Sequence, residues 1–189
     1  MHLIHRGILK KNYKENILES FKATFNAGYG VETDIHATKD NKFVCFHDFT
    51  LNRIFKIKKS IKSLNYQSLK SISKNKKAEI PLLNDLLRLS KNKYYLFIEI
   101  KPLFSIKILK KLLKETNKFK KCVFISFNEK NIYNLLKIEK TTKVGLSFSS
   151  NTSLKIIIKK SKNKNINFLI FDKFFINKKK IQKIKKNKY

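Results

Sequence analysis

Three carboxylates, two imidazoles and two cations fall at the ends of apolar runs in this chain: His5-Arg6, Glu32 with Asp34, His47, and Glu99 with Lys101. Placing such groups on strands is costly unless they satisfy one another or a metal. Glu32 and Asp34 are two residues apart, so on a strand both face the same side. With Glu99 they would form a hard, all-oxygen site suited to Mg²⁺ or Ca²⁺ rather than to zinc. His5 and His47 are candidates for a general acid and base, because imidazole titrates near neutral pH. Arg6 and Lys101 offer fixed positive charge to an anion. A divalent ion with flanking cations and two histidines suits phosphodiester cleavage. The Glu-x-Asp pair alone is a weak signal, and its force comes from the conjunction.

The elements that would position these groups alternate along the chain. Leu3-Ile4-His5 reads as a short strand ending in Arg6-Gly7, and a helix over 16–27 is stopped by Gly28-Tyr29-Gly30. Residues 31–37 are extended, with Glu32, Asp34 and His36 on one face. A turn at 39–42 and an extended run at 43–47 make a hairpin. Residues 52–77 read as a polar, lysine-rich connection with little pattern, followed by a helix ending at Leu89. Beyond it come a strand ending Glu99-Ile100-Lys101-Pro102, helix 105–118, strand 122–127, helix 129–139, strand 142–148, helix 152–162 and strand 166–171. From Lys173 to Tyr189, 8 of 17 residues are Lys and none is acidic, which reads as a solvated helix or fraying end.

Repeated strand–helix alternation predicts parallel strands and an α/β fold. An open doubly wound sheet and a (β/α) barrel both fit that alternation. Polar groups at the ends of successive strands favour the barrel. Gly7 stands alone, so no glycine-rich phosphate loop supports a nucleotide-binding doubly wound sheet.

The chain resembles the glycerophosphodiester phosphodiesterase family. The residues carrying the resemblance are His5-Arg6-Gly7, Glu15-Asn16, Glu32-Thr33-Asp34-Ile35, Thr38-Lys39-Asp40, His47-Asp48 with Leu51 and Arg53, Ile80-Pro81-Leu82, Glu99-Ile100-Lys101 and Ser126-Phe127. It spans roughly residues 2 to 148 and is most specific in its first half. It implies a TIM-type (β/α) barrel that hydrolyses deacylated phospholipids to glycerol 3-phosphate and an alcohol with a divalent metal, Mg²⁺ or Ca²⁺. By resemblance, His5 and His47 are the acid/base histidines, Glu32, Asp34 and Glu99 the metal ligands, and Arg6 and Lys101 the phosphate contacts. Departures are mild: Lys14 and Ile17 replace the family's Pro and Thr around Glu15-Asn16, and Asn41 stands where Gly is usual. Asn tolerates a left-handed turn.

The expected barrel is incomplete. Six of its eight strands are readable, the run at Phe43–Phe46 being an appendage, and the family's Trp-bearing seventh strand has no counterpart in a chain with no Trp. Truncation of a single domain over 1–189 is the favoured expectation. Two other readings are a phospholipase D- or C-like enzyme acting on intact lipid, and an inactive barrel that binds anions non-specifically. The first would want an apolar docking loop, and none is evident in the sequence.

Composition adds less than it promises. The formal charge is +31, yet of 44 basic residues only Arg6, Arg53 and Arg88 are Arg. Nucleic-acid readers favour Arg for its planar fork, so no specific nucleic-acid partner is expected, and the family resemblance implies a small glycerophosphodiester instead. Lys, Asn and Ile make up 84 of 189 residues, as an AT-biased genome would produce. No apolar run reaches the ~20 residues of a membrane span, and no signal peptide is visible, so a cytoplasmic protein is expected. Cys45 and Cys122 lie in apolar runs without metal spacing and are expected to be buried free thiols. Further expectations are that Asp48 orients the backbone or His47 rather than binding metal, that His36 shares the face of Glu32 and Asp34 without supporting the site, and that Glu15 and Asn16 cap the first helix.

Overall fold

The computed structural model describes residues 1–10, 14–74, 78–173 and 178–186. Six parallel strands run in the order β1 (Leu3–His5), β2 (Gly30–Ala37), β4 (Leu96–Ile100), β5 (Cys122–Ser126), β6 (Val144–Phe148) and β7 (Phe168–Phe171). Between them, β3 (Phe43–Cys45) folds back antiparallel onto β2. The result is a curled half-barrel with helices on its outer face. The expected six barrel strands and hairpin appendage are therefore present. Among the described residues β1 and β7 each pair with one neighbour, and they form the two edges of the sheet.

Near-continuous apolar runs dictate this arrangement, because a parallel strand is covered on both faces. Val31, Ile35, Ile98, Ile100, Phe124 and Leu146 point outward into the main core. There they meet helices α1 (Leu18–Asn26), α4 (Leu83–Ser90), α5 (Ile106–Thr116), α6 (Glu129–Ile138) and α7 (Leu154–Ser161). The inner face packs Leu3, Tyr95, Phe97, Val123, Ile125, Phe168 and Ile170 below the carboxyl ends of the strands. Gly145 belongs to that packing: a Cβ there would lie 2.7 Å from Ile170 Cδ1 and 3.0 Å from the Phe168 backbone oxygen.

Two expectations are corrected. Residues 52–74 are structured and contain α2 (Asn52–Phe55), a single 3₁₀ turn at Ile61–Ser63 and α3 (Tyr66–Lys74). Val44, Phe46, Leu51, Phe55, Ile61, Leu69, Ala78 and Ile80 form a second core beneath this segment. Its apolar positions are spaced irregularly among lysines, so neither helical nor strand periodicity stands out. Residues 75–77 of that stretch lie outside the described residues. In the basic tail, α8 (Lys178–Lys186) buries Ile184 in the main core against α7, so this helix is docked along one side. Residues 174–177 and 187–189 of the tail lie outside the described residues.

Candidate active site

Strand register brings the reactive groups together. In the parallel ladders His5 sits opposite Glu32, and Asp34 opposite Glu99. Two adjacent rungs thus hold four functional side chains on the inner face at the carboxyl ends of β1, β2 and β4. After β1 the chain kinks: Arg6 and Gly7 have φ of 57° and 81°, and Asn16 has 56°. A left-handed non-glycine residue is strained, so tertiary contacts must hold Arg6 there. They do so through Arg6 N–H donating to Glu32 O at 2.9 Å and Asn16 N–H donating to Arg6 O at 2.9 Å. At Gly7 a Cβ would meet Ser20 Oγ at 2.6 Å, which excludes a side chain at this turn.

Carboxylate oxygens of Glu32, Asp34 and Glu99 lie within 4.8 Å of one another. Asp34 is 1% exposed and sits at the hub. It accepts a hydrogen bond from Asn16 Nδ2 at 3.2 Å and pairs with Arg6 Nε at 3.1 Å and Lys101 Nζ at 3.4 Å. Lys101 also donates to Glu99 Oε1 at 2.8 Å. Burial alone would lower the Lys101 pKa, but Glu99 and Asp34 outweigh it and hold the ammonium above the ordinary lysine value. Burial raises the Glu99 carboxyl. Glu32 is pushed well up by burial and by the charges of Asp34 and Glu99. Its Oε2 is buried without a hydrogen-bond partner, and His5 Nε2 lies 3.8 Å away, beyond hydrogen-bond reach. A buried oxygen facing two further carboxylates, with no donor of its own, fits a divalent cation held by Glu32, Asp34 and Glu99.

The two histidines stand differently. His5 closes the edge strand, and its side chain is 69% exposed. His47 is 30% exposed, and its Nδ1 lies 2.6 Å from Asp48 Oδ1. Asp48 in turn accepts from Arg53 Nε at 2.6 Å, and Arg53 forms a close ion pair with Glu15. Arg6 reaches the same Glu15 at 3.4 Å. An unbroken line of alternating charge therefore runs from Asp48 through Arg53, Glu15 and Arg6 to Asp34, with the His47 ring hydrogen-bonded at its Asp48 end. From the other side His36 Nε2 reaches the His47 carbonyl at 3.2 Å. Burial lowers the His36 pKa to about 4, so its ring is neutral and able to donate there.

Asp48 orients His47, one of the two parts expected of it, whereas His36 supports His47 through its carbonyl, against the expectation that it plays no such part. Asn16 does not cap α1, whose N-cap Ile17 has no side-chain bond. Its amide instead joins Thr33 and Asp34 of β2 to the loop leaving β1, with Thr33 Oγ1 donating to Asn16 Oδ1 at 2.8 Å. Nor is Glu15 a capping residue, since Arg6 and Arg53 share it. In the sequence Arg53 is part of a motif without a role, and its rarity among 41 lysines is the available signal. Asn131, on α6, has no counterpart among the expected residues: it accepts from Phe104 N at 3.0 Å and donates to Pro102 O at 2.9 Å, tying down the segment after Lys101. Ser126 fixes the same segment by donating to Ile100 O at 2.8 Å. Asn41 adopts φ 58°, the left-handed turn expected of it. Cys45 and Cys122 are buried free thiols, each raised to about 12 by burial.

Residues 5–184 match the Glycerophosphoryl diester phosphodiesterase family. The chain belongs to that family. Among similar proteins, a glycerophosphodiester phosphodiesterase of Caldanaerobacter subterraneus subsp. tengcongensis is 29% identical over 161 residues, which is 77% of this chain and 65% of that protein. One from Bacillus altitudinis is 33% identical over 107 residues, 51% of this chain and 43% of the relative. The matches thus span about half to two-thirds of the curated relatives' length. Among solved structures, a glycerophosphodiester phosphodiesterase from Thermotoga maritima superposes with a TM-score of 0.77 at 24% identity, covering 98% of this chain and 81% of that one. A phosphodiesterase from Oleispira antarctica, in complex with the product sn-glycerol-3-phosphate, gives 0.83 at 21% identity, covering 99% and 81%. These likenesses establish a TIM-barrel type fold for this glycerophosphoryl diester phosphodiesterase family member. Among its described residues no helix is long and apolar enough to cross a membrane.

Proposed function

We propose that this chain is a metal-dependent hydrolase that cleaves glycerophosphodiesters to glycerol 3-phosphate and an alcohol, within a single domain over residues 1–189. The observation that carries this reading is the three-carboxylate cluster with its unpartnered Glu32 oxygen, flanked by Arg6, Lys101, His5 and His47. Glu32, Asp34 and Glu99 would hold the divalent ion, Mg²⁺ or Ca²⁺. When bound, that ion supplies charge that neutralises the phosphoryl oxygens. The sn-glycerol-3-phosphate held by the Oleispira antarctica relative supports a small phosphorylated ligand for this site.

Arg6 and Lys101 bind the phosphoryl oxygens and hold phosphorus between the two imidazoles. One histidine takes the proton from the substrate's own glycerol hydroxyl, whose oxygen attacks phosphorus. The bond to the alcohol oxygen breaks, and the second histidine protonates that oxygen as it leaves. Water then opens the cyclic phosphate with the two roles exchanged. His47, fixed through Nδ1 by Asp48, presents Nε2 in one tautomer. No large motion is required, because the carboxylates and cations stand on adjacent strands.

The test is turnover of glycerophosphocholine with Mg²⁺ or Ca²⁺, read as choline and glycerol 3-phosphate released. The expected result is metal-dependent turnover that EDTA abolishes and added metal restores. Absence of turnover with either ion overturns the proposal for this chain.

A further inference from the structure

Eight large apolar side chains stand exposed among the described residues, and five of them crowd the face onto which the candidate active site opens. Phe49, Leu103, Ile106, Phe127 and Ile156 are 57%, 55%, 44%, 55% and 46% exposed. Four of the five recur at three successive strand–helix junctions. Leu103 lies between β4 and α5, Ile106 opens α5, Phe127 lies between β5 and α6, and Ile156 stands in the first turn of α7. Phe49 shares a cavity of about 480 Å³ with Leu103 and His36. A second cavity of about 630 Å³ joins Phe127 and Ile156 to Lys101. Lys101, Pro102 and Leu103 bridge the two, so the apolar groups form one continuous collar beside the site.

Lysines accompany these groups at the same level. Lys107 follows Ile106, Lys130 follows Phe127 by three residues, Lys155 precedes Ile156, and Lys39 and Lys62 line the Phe49 cavity, all five exposed. The acids nearby are engaged: Asp40 accepts from Thr38 and from the Tyr66 backbone, and Glu129 pairs with Lys160. Apolar side chains interleaved with lysines in one layer match an anionic bilayer interface, where rings and alkyl groups enter the acyl boundary and ammonium groups meet lipid phosphates. Charge alone does not select a face in a chain of +31, whereas the coincidence of both groups does.

We infer that this face docks the protein onto an anionic lipid surface, with Phe49, Leu103, Ile106, Phe127 and Ile156 inserted and the candidate site turned toward the membrane. The inference stands apart from the chemistry proposed for the site. The chain contains no Trp, so single-Trp variants give a clean report. Leu103→Trp and Phe127→Trp probe the collar, and Tyr29→Trp, placed just before β2 at the opposite end of the strands, is the control. Each is mixed with phosphatidylcholine vesicles, with or without phosphatidylglycerol and with brominated acyl chains. Blue-shifted emission and bromine quenching at 103 and 127 but not at 29, on phosphatidylglycerol vesicles only, is the expected result. The double variant Leu103→Ser with Phe127→Ser should lose at least roughly tenfold in vesicle affinity, the least expected for two lost apolar anchors. Its turnover of soluble glycerophosphocholine should match that of the parent. Equal quenching at all three positions, quenching at none, or parental affinity in the double variant overturns the inference. So does a concentration-dependent dimer without lipid that the double variant abolishes, since a second copy would then cover the collar.

Discussion

Strands β1, β2 and β4 carry His5, Asp34, Glu99 and Lys101 at or near their carboxyl ends, whereas β5, β6 and β7 carry Ser126, Ser147 and Asp172 there. The first half of the sheet gathers Glu15, Glu32, Asp34, Asp48 and Glu99, five of the 13 acids in the chain, around Arg6, Arg53 and Lys101. Between residues 122 and 171 only Glu129 and Glu139 are acidic. Ionic groups in the first half hold one another within a few ångströms, and the second half is held mainly by apolar contacts. The difference teaches where strain is stored. A cluster of carboxylates is tolerated on β2 and β4 because both are flanked by neighbours and because each partner on an adjacent element is itself fixed. The second half supplies the scaffold against which the first is braced, through Ser126 and Asn131.

The contrast can be broken most strongly at Glu32. Glu32→Gln should lower kcat/KM on glycerophosphocholine by roughly a thousandfold, the cost of removing one charge-stabilising group. The same change should stabilise the metal-free protein. Burial and two neighbouring carboxylates raise the folded-state pKa of Glu32 above its unfolded value. As pH rises through that window the unfolded chain releases its proton first, so stability falls with rising pH. Denaturant melts in EDTA at pH 4 and pH 7 should show the parent losing more stability over that interval than Glu32→Gln. At pH 7 the variant should exceed the parent by about 1 kcal/mol, an ordinary single-site effect.

The second half should respond in the opposite sense. Phe124 is 3% exposed in the main core, and Phe124→Ala should cost about 3–5 kcal/mol of stability. Per folded molecule, turnover should stay within about twofold of the parent, because Phe124 faces away from the site. Active-site titration alongside the melt separates these quantities, and a large loss of specific activity would dissolve the distinction between the halves.

Smaller still is the effect expected at Arg53, which spans Asp48 and Glu15 from outside the three-carboxylate cluster. Arg53→Lys keeps the charge and loses the fork, so the hold on His47 loosens. A fall of about 10–100-fold in kcat with little change in melting temperature is expected, the usual size of a loss one layer out. Unchanged kcat would mean that His36 alone suffices to place His47.

Much of this is readable without coordinates. Runs such as Leu96–Ile100 and Cys122–Ser126 are apolar but for Glu99 and Ser126, as buried parallel strands with functional ends read, and their observed limits fall within two residues of those expected. Strand alternation pairs Glu32 with Asp34, and their meeting with Glu99 follows from placing β2 beside β4. What escapes the sequence depends on long-range geometry. Nothing local marks Asn16 as a bridge to Asp34, because that role is set by left-handed backbone at Arg6 and Asn16. Asn131 lies on α6 and acts on the loop after β4, a contact without a sequence signature. The second core beneath α2 and α3 is hidden by lysines interspersed among Leu51, Phe55, Ile61 and Leu69.

Arg6 and Arg53 each join two carboxylates on separate segments, Arg6 spanning Asp34 and Glu15, Arg53 spanning Glu15 and Asp48. A lysine can reach two carboxylates, as Lys101 does, but its compact charge lacks the planar fork with which a guanidinium fixes both at set angles. The chain carries 41 lysines and only 3 arginines, so the simpler cation stands at nearly every basic position. Two of those three arginines lie in this network. In chains of such skewed composition, scarcity itself therefore works as a map, and the few guanidinium groups that persist are the places to look first for a site.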